Sequence, residues 1–331
     1  MTRSAVERQR GAAILAAMLT VVLVATLASA VLWQQWRGVE VEAAERSRTQ
    51  SAWVLTGALD WARLILREDA RKGGTDHLAE PWAVPLEQAR LSTFLAADRS
   101  DALAADESQE AFLAGQITDL QSRLNVANLV KDGKVYEPSR IAFARLFEVL
   151  GLPASELTTL AENLRLALGT NVESNPSAPT SVRPTNDDAP LLPQDLDQLA
   201  WLGLSVRAVA VLRPFVTVLP VHTPVNLNTA PVEVVYACVE ALAMADAHRL
   251  VQSRNAAPLT SLNNAAKATG NAAALLNETQ HSVATRFFEV RGQLQVNQTT
   301  VQEFSVVQRE GQDVKVLWRR RGATRLPAPL Q

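Results

Sequence analysis

Residues Ala12 to Trp33 carry no charge, and they come after a short basic leader, MTRSAVERQRG. A helix rising ~1.5 Å per residue would stretch this run over ~33 Å, enough to cross the core of a bilayer. Arg3, Arg8 and Arg10 stand before it and should stay on the cytoplasmic side, which sends the C-terminal bulk outward. Trp33 and Trp36 suit the far interface, where an indole can be half wet. Three readings of this opening remain. Ala28-Ser29-Ala30 fits the small-residue pattern of a signal-peptidase site. An uncleaved anchor needs no motif. The third reading rests on the boundary residue, Gly11, and on the pattern beyond the apolar run.

The helical pattern does not stop at the membrane. Trp33, Trp36, Val39, Ala43, Trp53, Leu55, Leu59, Ala62 and Leu66 recur at steps of three and four residues, with Glu40, Glu45, Arg46, Arg48 and Asp60 among them. Gly73-Gly74 supplies a stop. A single helix over 12–71 would be ~90 Å long, apolar all round in its first half and amphipathic in its second.

Beyond it, residues 117–130 alternate imperfectly and predict a half-buried strand, and Asp132-Gly133 predicts a turn. Helices are expected over 141–150, ending at Gly151, and over 156–168, ending at Gly169. Residues 170–193, rich in Asn, Ser, Pro and Asp, predict a long loop. Short helices are expected over 196–204 and 206–212. Residues 285–295, 300–308 and 314–318 alternate and are rich in Val, Phe and Thr, as antiparallel strands are. Strands therefore flank a helical middle. The expected class is α+β: a pilin-like long N-terminal helix plus an antiparallel sheet, split by a helical insertion.

Composition narrows the functions. The 331 residues are 47% hydrophobic with a formal charge of −2, enough for substantial cores and without the basic footprint of a nucleic-acid binder. The one cysteine, Cys238, excludes an intramolecular disulfide and reads as a buried helical thiol. His77, His222, His248 and His281 stand apart, without carboxylate or thiol partners at metal-ligand spacing. No nucleophile elbow and no phosphate loop occurs, so an enzyme is not expected.

Several stretches resemble a known family. The layout of basic leader, glycine, apolar run and continuing amphipathic helix resembles type IV pilins and the pseudopilins of type II secretion. Residues 75–83 (TDHLAEPWA), 115–129 (GQITDLQSRLNVANL) and 225–234 (VNLNTAPVEV) resemble segments of one pseudopilin, the K subunit. The third stretch carries the most specific motif: Asn226, Asn228, Thr229, Pro231 and Glu233. Ser122 stands where the family has glycine, and Val126-Ala127 where it has Leu-Asn.

The resemblance implies cleavage by a prepilin peptidase between Gly11 and Ala12, with methylation of the new terminus. It implies a minor pseudopilin at the tip of a pseudopilus, which starts and caps the filament that exports proteins across the outer membrane. The family's usual Phe or Met at the mature start is Ala12 here, and Ala16 occupies the position of the usual filament glutamate. An intramembrane carboxylate needs a partner, and its absence fits a subunit with none above it. The expected divisions are a leader over 1–11, the long helix over 12–71 with 12–33 transmembrane, a first α+β part over 72–140, the insertion over 141–275 and closing strands over 276–331. Implied partners are the I and J minor pseudopilins, then H and the major G subunit, and the peptidase. The place is the inner membrane, single-pass, N-terminus cytoplasmic and globular part periplasmic.

Two further constellations bear on function. Residues 225–263 resemble a helix-hairpin-helix unit, with Thr229 as N-cap, Pro231 in the first turn, Glu233 at the positive end of the dipole and helices over 232–243 and 245–252. A membrane-anchored or secreted DNA-binding module is therefore the alternative. Its hairpin, ALAMAD at 241–246, lacks the phosphate-binding glycines, and its basic residues are few: Arg249, Arg254 and Lys267. Nucleic acid is not the expected partner. Asp187, Asp188, Asp195 and Asp197 read as a solvated acidic loop, with calcium as the functional option, since hard oxygen ligands on flexible backbone suit that ion. The family resemblance adds that some K subunits bind calcium. No cofactor is required.

Overall fold

The computed structural model describes residues 4–91, 111–170, 189–270, 276–296 and 299–324. It comprises two compact units, residues 1–57 and 58–331.

The first unit is helix. α1 runs Ser4–Lys72 and ends in the second unit. It does not break at Gly11. From Ala12 onward the helix has a window of mean hydropathy 2.5, long and apolar enough to cross a membrane once. Its large apolar side chains from Ile14 to Val31 are exposed. Thr20 and Thr26 hide their hydroxyls by donating to the carbonyls of Ala17 and Leu23, which suits an apolar surround. The Trp33 and Trp36 rings lie 5.4 Å apart at the end of the uncharged run. Beyond them, surface pairs such as Glu42–Arg46 mark the amphipathic stretch.

The second unit is built on a five-stranded antiparallel sheet: β1 (Leu86–Arg90), β2 (Ala111–Asp119), β3 (Phe287–Val296), β4 (Thr299–Glu310) and β5 (Asp313–Thr324), ordered β1-β2-β3-β4-β5. The last strand is longer than the expected 314–318. The end of α1 lies on this sheet. Leu59, Ala62 and Leu66, spaced by three and four residues, pack against Ile117, Phe288, Val290, Val307 and Val314. Burial of each leucine contributes about 2 kcal/mol. Trp82, from the connection to β1, closes this core edge-on to Phe288, with ring centroids 5.2 Å apart.

β2 and β3 are neighbours, yet residues 120–286 lie between them in the chain. The two strands remain in register, with Asp119 opposite Phe288. The intervening chain replaces a hairpin turn. It carries α2 (Glu137–Val149), α3 (Ala154–Thr170), α4 (Val206–Leu212), α5 (Val232–Cys238), α6 (Met244–Ala256) and α7 (Leu262–Thr269) around their own core, which includes Phe143, Phe147, Leu160, Leu202, Val235 and Leu250. The excursion from the sheet is wider than the expected 141–275 on both sides.

Three local expectations need correction. The strand expected over 117–130 stops at Asp119. The Asp119 carboxylate accepts from the backbone N–H of Gln121, and Asn125 does the same for Ala127, so 3₁₀ turns form at Leu120–Ser122 and Val126–Leu129. The helix expected over 196–204 is a 3₁₀ helix, Leu196–Leu202, closed by Gly203 in the left-handed region. The helix expected over 232–243 ends at Cys238, and the turn after it forces Ala241 to φ +60°. Its successor begins at Met244 and continues to Ala256. The Asp132-Gly133 turn is present, with both residues at positive φ.

Candidate functional site

Because β2 and β3 are adjacent, the insertion leaves and re-enters the sheet through one narrow neck. Polar side chains fill it. Asp119, at the end of β2, is 2% exposed and accepts hydrogen bonds on both oxygens. Its Oδ1 takes the Gln121 N–H at 2.7 Å and the Thr285 hydroxyl at 2.6 Å. Its Oδ2 takes the Thr229 hydroxyl at 2.6 Å and the Asn226 amide at 2.9 Å. Burial pushes this carboxyl above the ordinary carboxylate range, and the donors from Thr229, Thr285, Asn226 and Gln121 pull it back.

The motif residues expected to matter are therefore structural ties. Asn226 also donates to the Asp76 carbonyl at 3.1 Å, and its Oδ1 accepts from the Asn228 N–H. Asn228 pairs both sides of its amide with the backbone of Leu259, at 3.0 and 2.9 Å. Thr229 is not an N-cap. Pro231 occupies that position with no side-chain cap, because the Thr229 hydroxyl is bound to Asp119. Glu233 lies in the first turn of α5, where the dipole favours an acid.

The stretch over 119–128 contributes more such ties. Gln121 donates to the Pro224 carbonyl and accepts from the Arg286 N–H. Asn125 holds Val221, Thr223 and Leu219, and Asn128 holds both backbone groups of Thr223. Buried amides mimic a neighbouring strand and satisfy the backbone groups they meet.

A second cluster adjoins the neck. The Arg309 guanidinium, on β4, donates to Asp69 of α1 at 2.7 Å, to Asp76, and to the Thr285 carbonyl at 2.9 Å. It also stacks over Phe288, 4.9 Å from the ring centroid. Asp76 accepts the Thr285 N–H at 2.7 Å. Burial raises its carboxyl, opposed by Arg309. One carboxylate oxygen each from Asp69, Asp76 and Glu80 gather within 4.8 Å of one another. Asp69, Thr285 and Arg309 carried no local signal of these roles, whereas Asp76, Asp119, Gln121, Asn125 and Asn128 lay inside the resembling stretches.

The remaining expected site residues are not brought together. Gly11 and Ala12 lie within α1, and Ala16 is exposed on it. Asp187 and Asp188 lie outside the described residues. Asp195 caps the turn at 196–202 and accepts from Arg320 at 2.7 Å, while Asp197 pairs with Arg213. Two of the basic residues that DNA binding would use are engaged within the fold. Arg249 pairs with Asp246 and the Thr269 carbonyl, and buried Arg254 donates to the Leu227 carbonyl.

An apolar helix long enough to span a bilayer, followed in the chain by an antiparallel sheet, fits a single-pass membrane anchor on a pilin-like fold. The excursion between β2 and β3 makes the assignment particular. A family model described as type II secretion system (T2SS), protein K matches residues 122–221, and a second of the same description matches residues 225–284. Both matches fall inside the insertion. Type II secretion system protein K of Pseudomonas aeruginosa is 27% identical, over 97% of this chain and 95% of the relative. The protein of that name from Klebsiella pneumoniae is 29% identical, over 96% and 97%. The crystal structure of the GspK-GspI-GspJ complex from enterotoxigenic Escherichia coli contains a chain with the same fold: TM-score 0.60, 19% identity, 84% of this chain and 98% of that one. The chain is therefore similar to type II secretion system protein K over nearly its whole length, and this similarity supports the role of a minor pseudopilin in type II secretion.

Proposed function

We propose that the chain is the tip subunit of the pseudopilus, starting its assembly and capping it. The observation that carries this reading is the placement of the family-matched residues. They form a helical mass with its own core at one end of the sheet, fixed there by a bonded neck. Such a head would obstruct addition of a subunit above it. Ala16 agrees, since it offers no carboxylate to a neighbour's amine in the membrane.

Residues 12–33 anchor the chain in the inner membrane, with the N-terminus cytoplasmic and the head periplasmic. A prepilin peptidase cuts between Gly11 and Ala12. The I and J subunits are the direct partners, as the solved complex of the Escherichia coli relative supports, and H and G lie below them. Apolar faces of α1 pack beside the helices of these subunits. The protein acts by assembly, without catalysis and without nucleic acid. Of the acidic candidates, Asp195 and Asp197 pair with Arg320 and Arg213 at the surface.

The test is the mass of the mature N-terminal peptide from native membranes, with co-purification of I and J subunits. A methylated Ala12 start and salt-resistant I and J binding are expected. A Val31 start would mean that signal peptidase removed the helix, and would overturn the reading. An intact Met1 without I and J would do the same.

A further inference from the structure

We propose that Glu80 is a proton-operated latch at the foot of α1: with its proton it bridges to the Asp69–Asp76 pair and holds residues 73–85 on the sheet, and without it the segment loosens. The geometry has three parts. First, Glu80 is anchored on one side only. Its Oε2 accepts the Trp82 indole N–H at 2.7 Å and the His77 N–H at 2.9 Å, while a carboxylate oxygen of each of Asp69 and Asp76 stands within 4.8 Å. Second, the cation of the cluster is already used. Arg309 gives its two terminal nitrogens to Asp69, Asp76 and the Thr285 carbonyl. Third, the chain before Glu80 has backbone freedom. Gly73 and Gly74 sit at φ +66° and +124°, beside an open cavity of about 500 Å³ that admits water to the cluster.

The charged groups around the latch come from every neighbouring element: Asp69 from α1, Asp76 and His77 from the connection, Arg286 from the approach to β3, and Arg309 and Glu310 from β4. The His77 ring is engaged, its Nδ1 accepting from the Ala79 N–H at 3.3 Å. Three carboxyls thus share one committed guanidinium, and one of them is driven to keep a proton. Burial, joined by the charges of Asp69 and Asp76, pushes Glu80 up to about 7, against the pull of the His77 and Trp82 donors.

The direction follows from linkage. An acid whose folded pKa lies above its unfolded one binds more protons when folded, so its stabilisation is present at low pH and is lost as pH rises through about 7. Solvent at this half-buried site screens the effect, and about a tenfold change in the local opening constant is expected between pH 5.5 and 8.5. The latch stands independently of the tip assignment, because it concerns the closure of the head on its own helix.

The experiment is hydrogen exchange by mass spectrometry on the full chain in detergent micelles, reading peptides over 73–85 and correcting for intrinsic exchange. The wild type should open about tenfold more at pH 8.5 than at pH 5.5. Glu80→Gln, which always offers an N–H to the pair, should stay closed and pH-independent. A flat wild-type profile, or a rise that persists in Glu80→Gln, overturns the proposal. Should that variant fail to fold, Asp69→Asn decides: removing a like charge should move the wild-type transition to lower pH, and an unmoved midpoint rejects the latch.

Discussion

Asn226 and Asp119 stand 107 positions apart in sequence, yet the amide of one donates to the carboxylate of the other at 2.9 Å, in the neck where the insertion meets the sheet. Asp119 also receives Gln121, Thr229 and Thr285 there, so it is the hub and Asn226 one spoke. Replacing Asp119 by alanine would bury the hydroxyls of Thr229 and Thr285 and the Asn226 amide without their acceptor. Each such group costs about 1–3 kcal/mol, so a total loss of about 4 kcal/mol is expected. Asp119→Asn keeps the shape and loses less, about 2 kcal/mol. Thermal unfolding of the micelle-solubilised chain checks the order: equal effects for the two variants would mean that Asp119 only fills space.

Arg309 is nearly buried, and it neutralises Asp69 and Asp76 together. Arg309→Met would leave two carboxylates facing each other, at a cost of about 3–5 kcal/mol. Arg309→Lys should recover only part, because an ammonium is a point donor and cannot fork between both acids and the Thr285 carbonyl. Urea unfolding of the two variants measures the recovery. Full recovery with lysine would show that charge alone matters at this position.

Gly203 and Gly133 separate crowding from backbone preference. Both have positive φ, +95° and +72°. A Cβ on Gly203 would stand 2.6 Å from the Thr159 methyl, whereas one on Gly133 would meet nothing within 4 Å. Gly133→Ala should cost about 1 kcal/mol, the backbone penalty alone. Gly203→Ala adds overpacking between the turn and α3, and should cost about 2–4 kcal/mol. Denaturant midpoints of the two variants measure the difference, and similar midpoints would mean that Thr159 moves away freely.

The elements were legible in the sequence where one period dominated. The apolar run of α1, its three- and four-residue continuation through Leu59, Ala62 and Leu66, and the alternation over 285–308 are all local patterns, and burial of one face enforces the last two. The neck was not legible, because its bonds join residues such as Asp119 and Thr285, or Asp69 and Arg309, that no local window contains. Two local signals were outweighed by tertiary ones. Thr229 has the composition of an N-cap, but a buried carboxylate at 2.6 Å takes its hydroxyl. Residues 117–130 alternate like a strand, but Asp119 and Asn125 fold their side chains onto the backbone just beyond them and end it. The resembling stretches pointed to the right segments while leaving their chemistry unstated, since an asparagine that ties backbone reads the same in sequence as one that binds a ligand.

His281 supplies a pH dependence opposite in sign to that of Glu80. It is 1% exposed, with Nε2 at 3.1 Å from the Cys238 carbonyl and Nδ1 accepting from the Asn277 N–H at 3.1 Å. A neutral ring with its proton on Nε2 satisfies both contacts, and a second proton on Nδ1 would meet the Asn277 carbonyl, 3.2 Å away, as well as the Asn277 N–H. Burial holds its pKa below the ordinary 6.5, opposed by the bonds to Cys238 and Asn277. The unfolded chain therefore takes up this proton first as pH falls below 6.5, and stability drops by at most about 1.4 kcal/mol per pH unit until the folded ring protonates as well. Above that pH both states are neutral and the residue contributes no pH dependence. Glu80, Asp76 and Asp119, whose carboxyls are raised, act in the other direction, so the comparison must be made against a variant. His281→Gln keeps a donor for the Cys238 carbonyl and cannot titrate. Its stability relative to the wild type should improve as pH is lowered from about 7.5 to about 5 in urea unfolding of the full chain. A constant difference across that range would mean that the folded protein accommodates the charged ring.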